Sequence, residues 1–257
     1  DPKTGKRVGE LKQLTFPQKE EAELITRYGS KKSEGGAWDY HHGTEDLDPC
    51  YLPDGNIVFV STRCQYGTLC DAPDAFVTTT LYRMNRDGTG IKQLSFGSLN
   101  EFTPVVLPDG RIIYSRWEYV DKGAVSTKCL WAIRPDGSGS REIYGNDIAT
   151  PTTMIQARPL PGKHGEYIML GTPHCPQNQV GTIIKLDMSE NIRTSDPMSY
   201  VSKDIDIIYE PGFDFSIKGK WINDRSGKKG RLFTDPYPLS DKLFLASRKK
   251  PGAKWQD

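Results

Sequence analysis

The chain contains no apolar run of 18 residues, so no segment is long enough to cross a bilayer as a helix. It has no surplus of either charge: 34 Lys and Arg against 33 Asp and Glu leave no global field to attract nucleic acid or an anionic membrane. Cys-x-x-Cys-His is absent, which excludes covalent haem within these residues. Sustained helical periodicity is also missing; the single short stretch, QKEEAELITRYG, predicts a helix over Gln18 to Gly29. The sequence opens at Asp1 without an initiating Met or an apolar leader, and the expectation is a processed or cropped piece.

What is present is punctuation. Gly (25) and Pro (18) divide the chain into short apolar bursts such as NIVFVS, RIIYSRWEYV, EYIMLG, GTIIKLD and KLFLAS. Bursts of that length, rich in β-branched and aromatic residues and bounded by turn formers, predict strands. The fold class is therefore all-β.

Self-comparison gives the organisation. LPDGNIVFVSTR (Leu52 to Arg63) recurs as LPDGRIIYSRWE (Leu107 to Glu118), and LYRMNRDGTGIKQL (Leu81 to Leu94) recurs as LWAIRPDGSGSREI (Leu130 to Ile143). ELKQLTF (Glu10 to Phe16) matches GIKQLSF (Gly90 to Phe96), so the chain opens on the tail of an earlier unit. DPYPLSDKLFLASRK (Asp235 to Lys249) starts another. Each unit reads as an acidic residue or Thr before Pro, then Pro-Asp-Gly, then three further strands with Asp-Gly between the last two. Four short antiparallel strands per roughly 40–50 residues predict a β-propeller blade. Asp-Gly between apolar strands signals a two-residue hairpin, which explains the acid and glycine without any metal. Blades are expected near 46–96, 101–147 and 150–200, with another starting near 235, and insertions at 17–44 and 202–234. Blades bury their faces only against neighbours, so the expected whole is a segment of a six- to eight-bladed ring. The other arrangement has 201–234 forming an atypical closing blade.

The stretch DLDPCYLPDG (46–55), FVSTRC, a Cys six residues on, LYRMNRDGTGIKQL and GRIIYSRWEY together resemble the TolB-like propeller of the hydrazine synthase alpha-subunit family. The resemblance runs from about Asp46 to Asp187 and is extended by ARPLPG and GTIIKLD. It implies the propeller fold. In that family the propeller accompanies c-type haem domains, which for this chain would have to lie outside these residues.

Five Cys and four His carry the candidate chemistry. Cys64 and Cys70 flank QYGTL and form either a local disulfide in an exported protein or part of a metal site. Cys50 and Cys129 alternate with apolar neighbours and are expected to be buried thiols. His41, His42, His174 and Cys175 are metal-ligand candidates, and Asp46 and Asp48 join them if their loops share one face. The bland alternative is that the His are solvated and the two Asp cap the inner strand. Arg116 and Glu118 lie on one side of a strand by the two-residue period. With Arg158 they either bind an anionic ligand or form structural ion pairs, Arg63 being a further partner.

Three functions compete at this point. The first is a periplasmic or secreted propeller working as a ligand-binding or assembly module, its partner a protein, other domains of the same polypeptide, or a small ligand. The second is a metal-dependent propeller enzyme of lyase or hydrolase type with a divalent ion at the channel mouth. The third is a subunit of a multihaem redox enzyme. Nucleic acid and a membrane span are excluded from the partners.

Overall fold

The computed structural model describes residues 4, 9–28, 43–69, 77–119, 128–148, 151–172, 181–201 and 233–248. They form an open series of β-propeller blades. The first blade is β1 (Asp46–Tyr51), β2 (Ile57–Ser61), β3 (Thr80–Met84) and β4 (Lys92–Gln93), each antiparallel to the next. The second is β5 (Glu101–Val106), β6 (Ile112–Trp117), β7 (Lys128–Ile133) and β8 (Arg141–Tyr144). The third is β9 (Thr153–Pro159), β10 (Glu166–Thr172), β11 (Thr182–Asp187) and β12 (Met198–Tyr200). A fourth contributes β13 (Phe233–Pro238) and β14 (Phe244–Arg248). One parallel pairing, Lys128 with Thr153, joins β7 to β9. The only helix among the described residues, α1 (Glu21–Tyr28), lies inside the predicted stretch and is shorter than it.

The strands of the second and third blades carry apolar residues on both faces because each of those blades lies between two others. All five residues of β2 are buried. Val58 and Val60 pack toward the second blade with Ile112, Tyr114 and Ile133, whereas Ile57 and Phe59 face the other way with Tyr82, Met84 and Leu14. The second and third blades meet through Leu107, Ile113, Leu130, Met154, Met169 and Ile184. Phe233 and Phe244 of the fourth pack on Ile155, Leu160 and Ile168. Burying each such side chain contributes about 1.5–3 kcal/mol.

The Asp-Gly hairpins differ in one respect from the sequence reading: their loops hold three residues, not two. Leu52 N–H donates to Asn56 O and Gly55 N–H to Leu52 O, which leaves Pro53, Asp54 and Gly55 as the loop. Gly55 sits at φ +83° and Gly110, its repeat, at +85°. This is the turn-plus-bulge hairpin in which the last loop residue must be left-handed. Gly137 adds a packing demand: its φ is +89°, and a Cβ there would stand 2.7 Å from Leu94 O of the preceding blade. Gly137→Ala is expected to cost about 1–2 kcal/mol in urea denaturation, from strained backbone and the clash together.

These hairpins all lie at one end of the blades. Because the strands alternate in direction, the starts of the inner strands β1, β5, β9 and β13 fall at the opposite end. So do the strand ends at Ser61 and Thr80, Trp117 and Lys128, and Thr172 and Thr182. The long connections leave from that end.

Candidate functional site

The inner strands share an unusual local geometry. Asp48, Thr103, Gln156 and Asp235 occupy equivalent positions and have φ of 51°, 48°, 56° and 52°. Each lies in a bulge where its strand slips register against the next. A non-glycine residue in the left-handed region is strained unless its surroundings hold it there. Here the surroundings are the neighbouring blades. Thr103 N–H donates to Asp48 Oδ2 at 3.2 Å, Gln156 N–H to Thr103 Oγ1 at 3.0 Å, and Asp235 N–H to Gln156 Oε1 at 2.8 Å. Gln156 Nε2 returns a bond to Asp235 Oδ1 at 3.1 Å. The side chain of each bulge thus accepts the amide that the next blade's bulge frees from its own sheet. A relay of hydrogen bonds runs around the inner rim.

Thr103 and Gln156, within the relay, are buried; Asp48 and Asp235, at its ends, are exposed. Desolvation still raises the Asp48 pKa above the usual carboxylate value; the Thr103 amide opposes this, the like charge of Asp235 adds to it, and Arg158 opposes it. The guanidinium of Arg158 lies 5.3 Å over the Tyr237 ring. Its buried Nε has no hydrogen-bond partner. Asp48, Arg158, Asp235 and Tyr237 therefore gather on the inner strands, with two carboxylates and one cation whose N–H is unspent.

Asp46 does not join them. Arg63 grips it with Nε at 2.9 Å from Oδ1 and Nη2 at 2.6 Å from Oδ2, and Ser61 Oγ donates at 2.7 Å. Burial pushes its pKa up, but the Arg63 and Ser61 hydrogen bonds outweigh this and leave it below the usual value. Arg116 and Glu118 form an ion pair at 2.9 Å, and Arg116 stacks 4.5 Å over Trp131. Arg116 and Glu118 thus pair with each other, the structural alternative of the sequence reading.

Of the two expectations for Cys64 and Cys70, a disulfide or part of a metal site, no disulfide is seen. Cys64 is a free thiol, and its Sγ donates to Thr78 O at 3.1 Å; Cys70 lies outside the described residues. Cys129 is buried and accepts from Trp131 Nε1 at 3.3 Å, whereas Cys50 is only half-buried. His41, His42, His174 and Cys175 lie outside the described residues. Among the described residues no three His, Cys, Asp or Glu side chains stand together in a way that would hold a metal ion.

Glu101 is the functional-looking residue that sequence reasoning passed over. It is 1% exposed and begins β5 where Asp46 begins β1. Its Oε2 takes the Leu81 N–H at 3.1 Å and the Ser95 hydroxyl, both from the first blade. Burial pushes its pKa up to about 7, against the opposing pull of Ser95 and Arg116. The signal was available: GSLNEFTP places an acid where the repeat has Asp46, but with no Arg at the position of Arg63.

No family profile matches this chain, and no curated protein matches it. Its fold is similar to that of hydrazine synthase from Kuenenia stuttgartiensis, with TM-score 0.54 and 17% identity over 86% of this chain and 27% of that one. The chain thus spans about a quarter of the length of that protein. TolB from Acinetobacter baumannii shares 12% identity over 60% of this chain and 32% of its own, with TM-score 0.39. The tricorn protease shares 12% over 79% and 23%, with TM-score 0.39. At such identities the likeness to hydrazine synthase speaks to the fold, a β-propeller, and to nothing beyond it. No helix among the described residues is long and apolar enough to cross a membrane.

Proposed function

We propose that this chain is a β-propeller binding module that takes a small zwitterionic ligand at its inner rim. One observation carries the reading: Arg158, with an unpartnered buried Nε, stands on the same rim as the exposed carboxylates of Asp48 and Asp235. A desolvated guanidinium with an N–H to spare suits a carboxylate, and two carboxylates beside it suit an ammonium group. Left-handed bulges held by the relay fix these groups before any ligand arrives, which lowers the ordering cost of binding. Periplasmic or secreted placement belongs to this reading on the sequence resemblance alone; the free Cys64 thiol lends it no support.

The test is calorimetry with 4-aminobutyrate, butyrate and butylammonium. The zwitterion is expected to bind at least about tenfold more tightly than either half, a difference of about 1.4 kcal/mol. Arg158→Met should remove the response to both carboxylates, and Asp48→Asn should weaken the response to both amines. Failure of all three probes to bind below about 10 mM would exclude the reading, since that affinity corresponds to less than about 3 kcal/mol.

A further inference from the structure

Where the second blade faces the first, two carboxylates share one guanidinium. Glu101 and Arg116 stand directly opposite each other in the register of β5 and β6, which sets their Cβ atoms roughly 4.5–5.5 Å apart. Glu118, two residues beyond Arg116, lies on the same side of the strand. That is the side on which Ile112 and Tyr114 meet Val58 and Val60 of the first blade. Trp131 stands diagonal to Arg116 across β6 and β7.

The hydrogen bonds among these groups are unequally spent. Both bonds that the Glu101 carboxyl makes, with Leu81 N–H and the Ser95 hydroxyl, fall on Oε2. Its Oε1 accepts none among the described residues; it faces Gly97, where an added Cβ would stand 3.5 Å away. Arg116 Nε comes within 2.9 Å of Glu118 Oε1, yet that oxygen is buried without a hydrogen bond, so the contact is one of charge alone. The guanidinium carbon stands 4.5 Å from the centre of the Trp131 ring. An arginine fully engaged with a carboxylate directs two parallel N–H bonds at its oxygens. Arg116 directs none at either acid.

The groups that face Glu101 come from both blades. The first blade brings Leu81 N–H and Ser95, neither of which titrates. β6 brings Tyr114 and Arg116, and Glu118 follows it. Tyr114 keeps its proton across neutrality, its pKa pushed up to about 12 chiefly by burial. The Glu101 proton leaves near neutrality: burial pushes its pKa up to about 7, Ser95 and Arg116 pull against this, and the charge of Glu118 adds to it.

We infer that Arg116 is a two-position side chain: it stacks on Trp131 beside Glu118 while Glu101 holds its proton, and turns to Glu101 Oε1 when that proton leaves. A neutral Glu101 exerts no net pull on a cation, so the aromatic face and the charge of Glu118 hold Arg116. Ionised, Glu101 is the stronger site. It is 1% exposed, against 16% for the side chain of Glu118, so water compensates Glu118 in part and Glu101 hardly at all. Attraction between opposite charges grows several-fold where water is excluded, and a buried carboxylate left without a partner is the costlier one. Rising pH thus uncovers the Trp131 ring and releases Glu118 at the end of the blades from which the long connections leave. The device lies wholly between two blades of the chain and needs no ligand at the rim.

NMR of the chain labelled with carbon-13 arginine follows the movement, with the Arg116 resonance assigned by Arg116→Lys. The Cδ methylene protons do not exchange with water and stay visible at every pH. Against the face of Trp131 they are shielded, so below neutrality they are expected upfield of ordinary arginine. They should move downfield in a single-proton step centred near pH 7, where Glu101 ionises. Glu101→Gln should hold them upfield throughout, and Trp131→Leu should leave them at the ordinary position at every pH. If Glu101→Gln fails to fold, carbon-13 glutamate labelling of the wild type reads the same event: one carboxyl carbon should titrate with the midpoint of the arginine step. Methylene protons that keep their position from about pH 5 to 9, a range spanning both the reference and the folded Glu101 values, overturn the proposal. So does a step that survives Glu101→Gln, or one whose midpoint no carboxyl carbon shares.

Discussion

Arg63→Met is expected to destabilise the chain by about 3–5 kcal/mol at pH 7, because it strands a carboxylate that folding has taken out of water. The side chains of Arg63 and Asp46 are 9% and 14% exposed, and the pair is bidentate. Arg63 also donates to Phe16 O at 2.8 Å, tying the segment before α1 to the first blade. The double variant Arg63→Met with Asp46→Leu should recover much of the loss, since removing both charges costs less than orphaning one. Urea denaturation of the wild type, both single variants and the double variant measures this as a cycle. The pH dependence has a defined sign. The Asp46 pKa is depressed by folding, so its contribution is present above the ordinary carboxylate value near 3.8 and is lost as pH falls through the lower folded value. The Arg63→Met penalty should therefore shrink in acid.

Glu101 titrates in the opposite sense. Its folded pKa of about 7 exceeds the reference value of 4.5, so the folded chain holds a proton that the unfolded chain has released. Stability from this group is full below about pH 4.5 and is lost as pH rises through 7, by about 3 kcal/mol in all. Glu101→Gln keeps an acceptor for Leu81 N–H and Ser95 and cannot ionise. Its stability is expected to stay flat across pH 4.5–8 where the wild type declines, and chemical denaturation at half-unit pH steps measures the difference. A wild-type curve parallel to that of the variant would mean that Glu101 titrates normally in place. Two acids at the same station of successive blades thus pull the pH optimum from both sides, one because Arg63 hydrogen-bonds it and the other because burial outweighs the pull of Arg116 and Ser95.

The blades were legible because their turns are chemically narrow. A left-handed Gly after Asp is close to obligatory at Gly55, Gly110 and Gly137, so Pro-Asp-Gly repeats wherever the backbone repeats. Loop length was not legible, because Asp-Gly ends a three-residue hairpin as readily as it fills a two-residue one. The relay was half visible. Asp48, Thr103 and Asp235 each precede Pro, a pattern readable in the sequence, but Gln156 precedes Ala and breaks it. What unites the four is a φ near +50° and an acceptor atom, and Asp, Thr and Gln meet that demand equally. One of them, Asp48, accordingly reads from the sequence as a metal ligand or a cap. The environment of Glu101 was hidden for a related reason: its partners Leu81 and Ser95 come from another blade, and only packing brings them near.

The direction of the relay bears on how such a chain can change by duplication. Every blade carries its acceptor on the side of its successor and its donor on the side of its predecessor. A copied or excised blade therefore meets the same chemical request at both new junctions, whichever blades flank it. Blade number is free to drift by whole cassettes while individual residues at the junction vary among acceptors, and lineages can share a repeat while their sequences part almost completely.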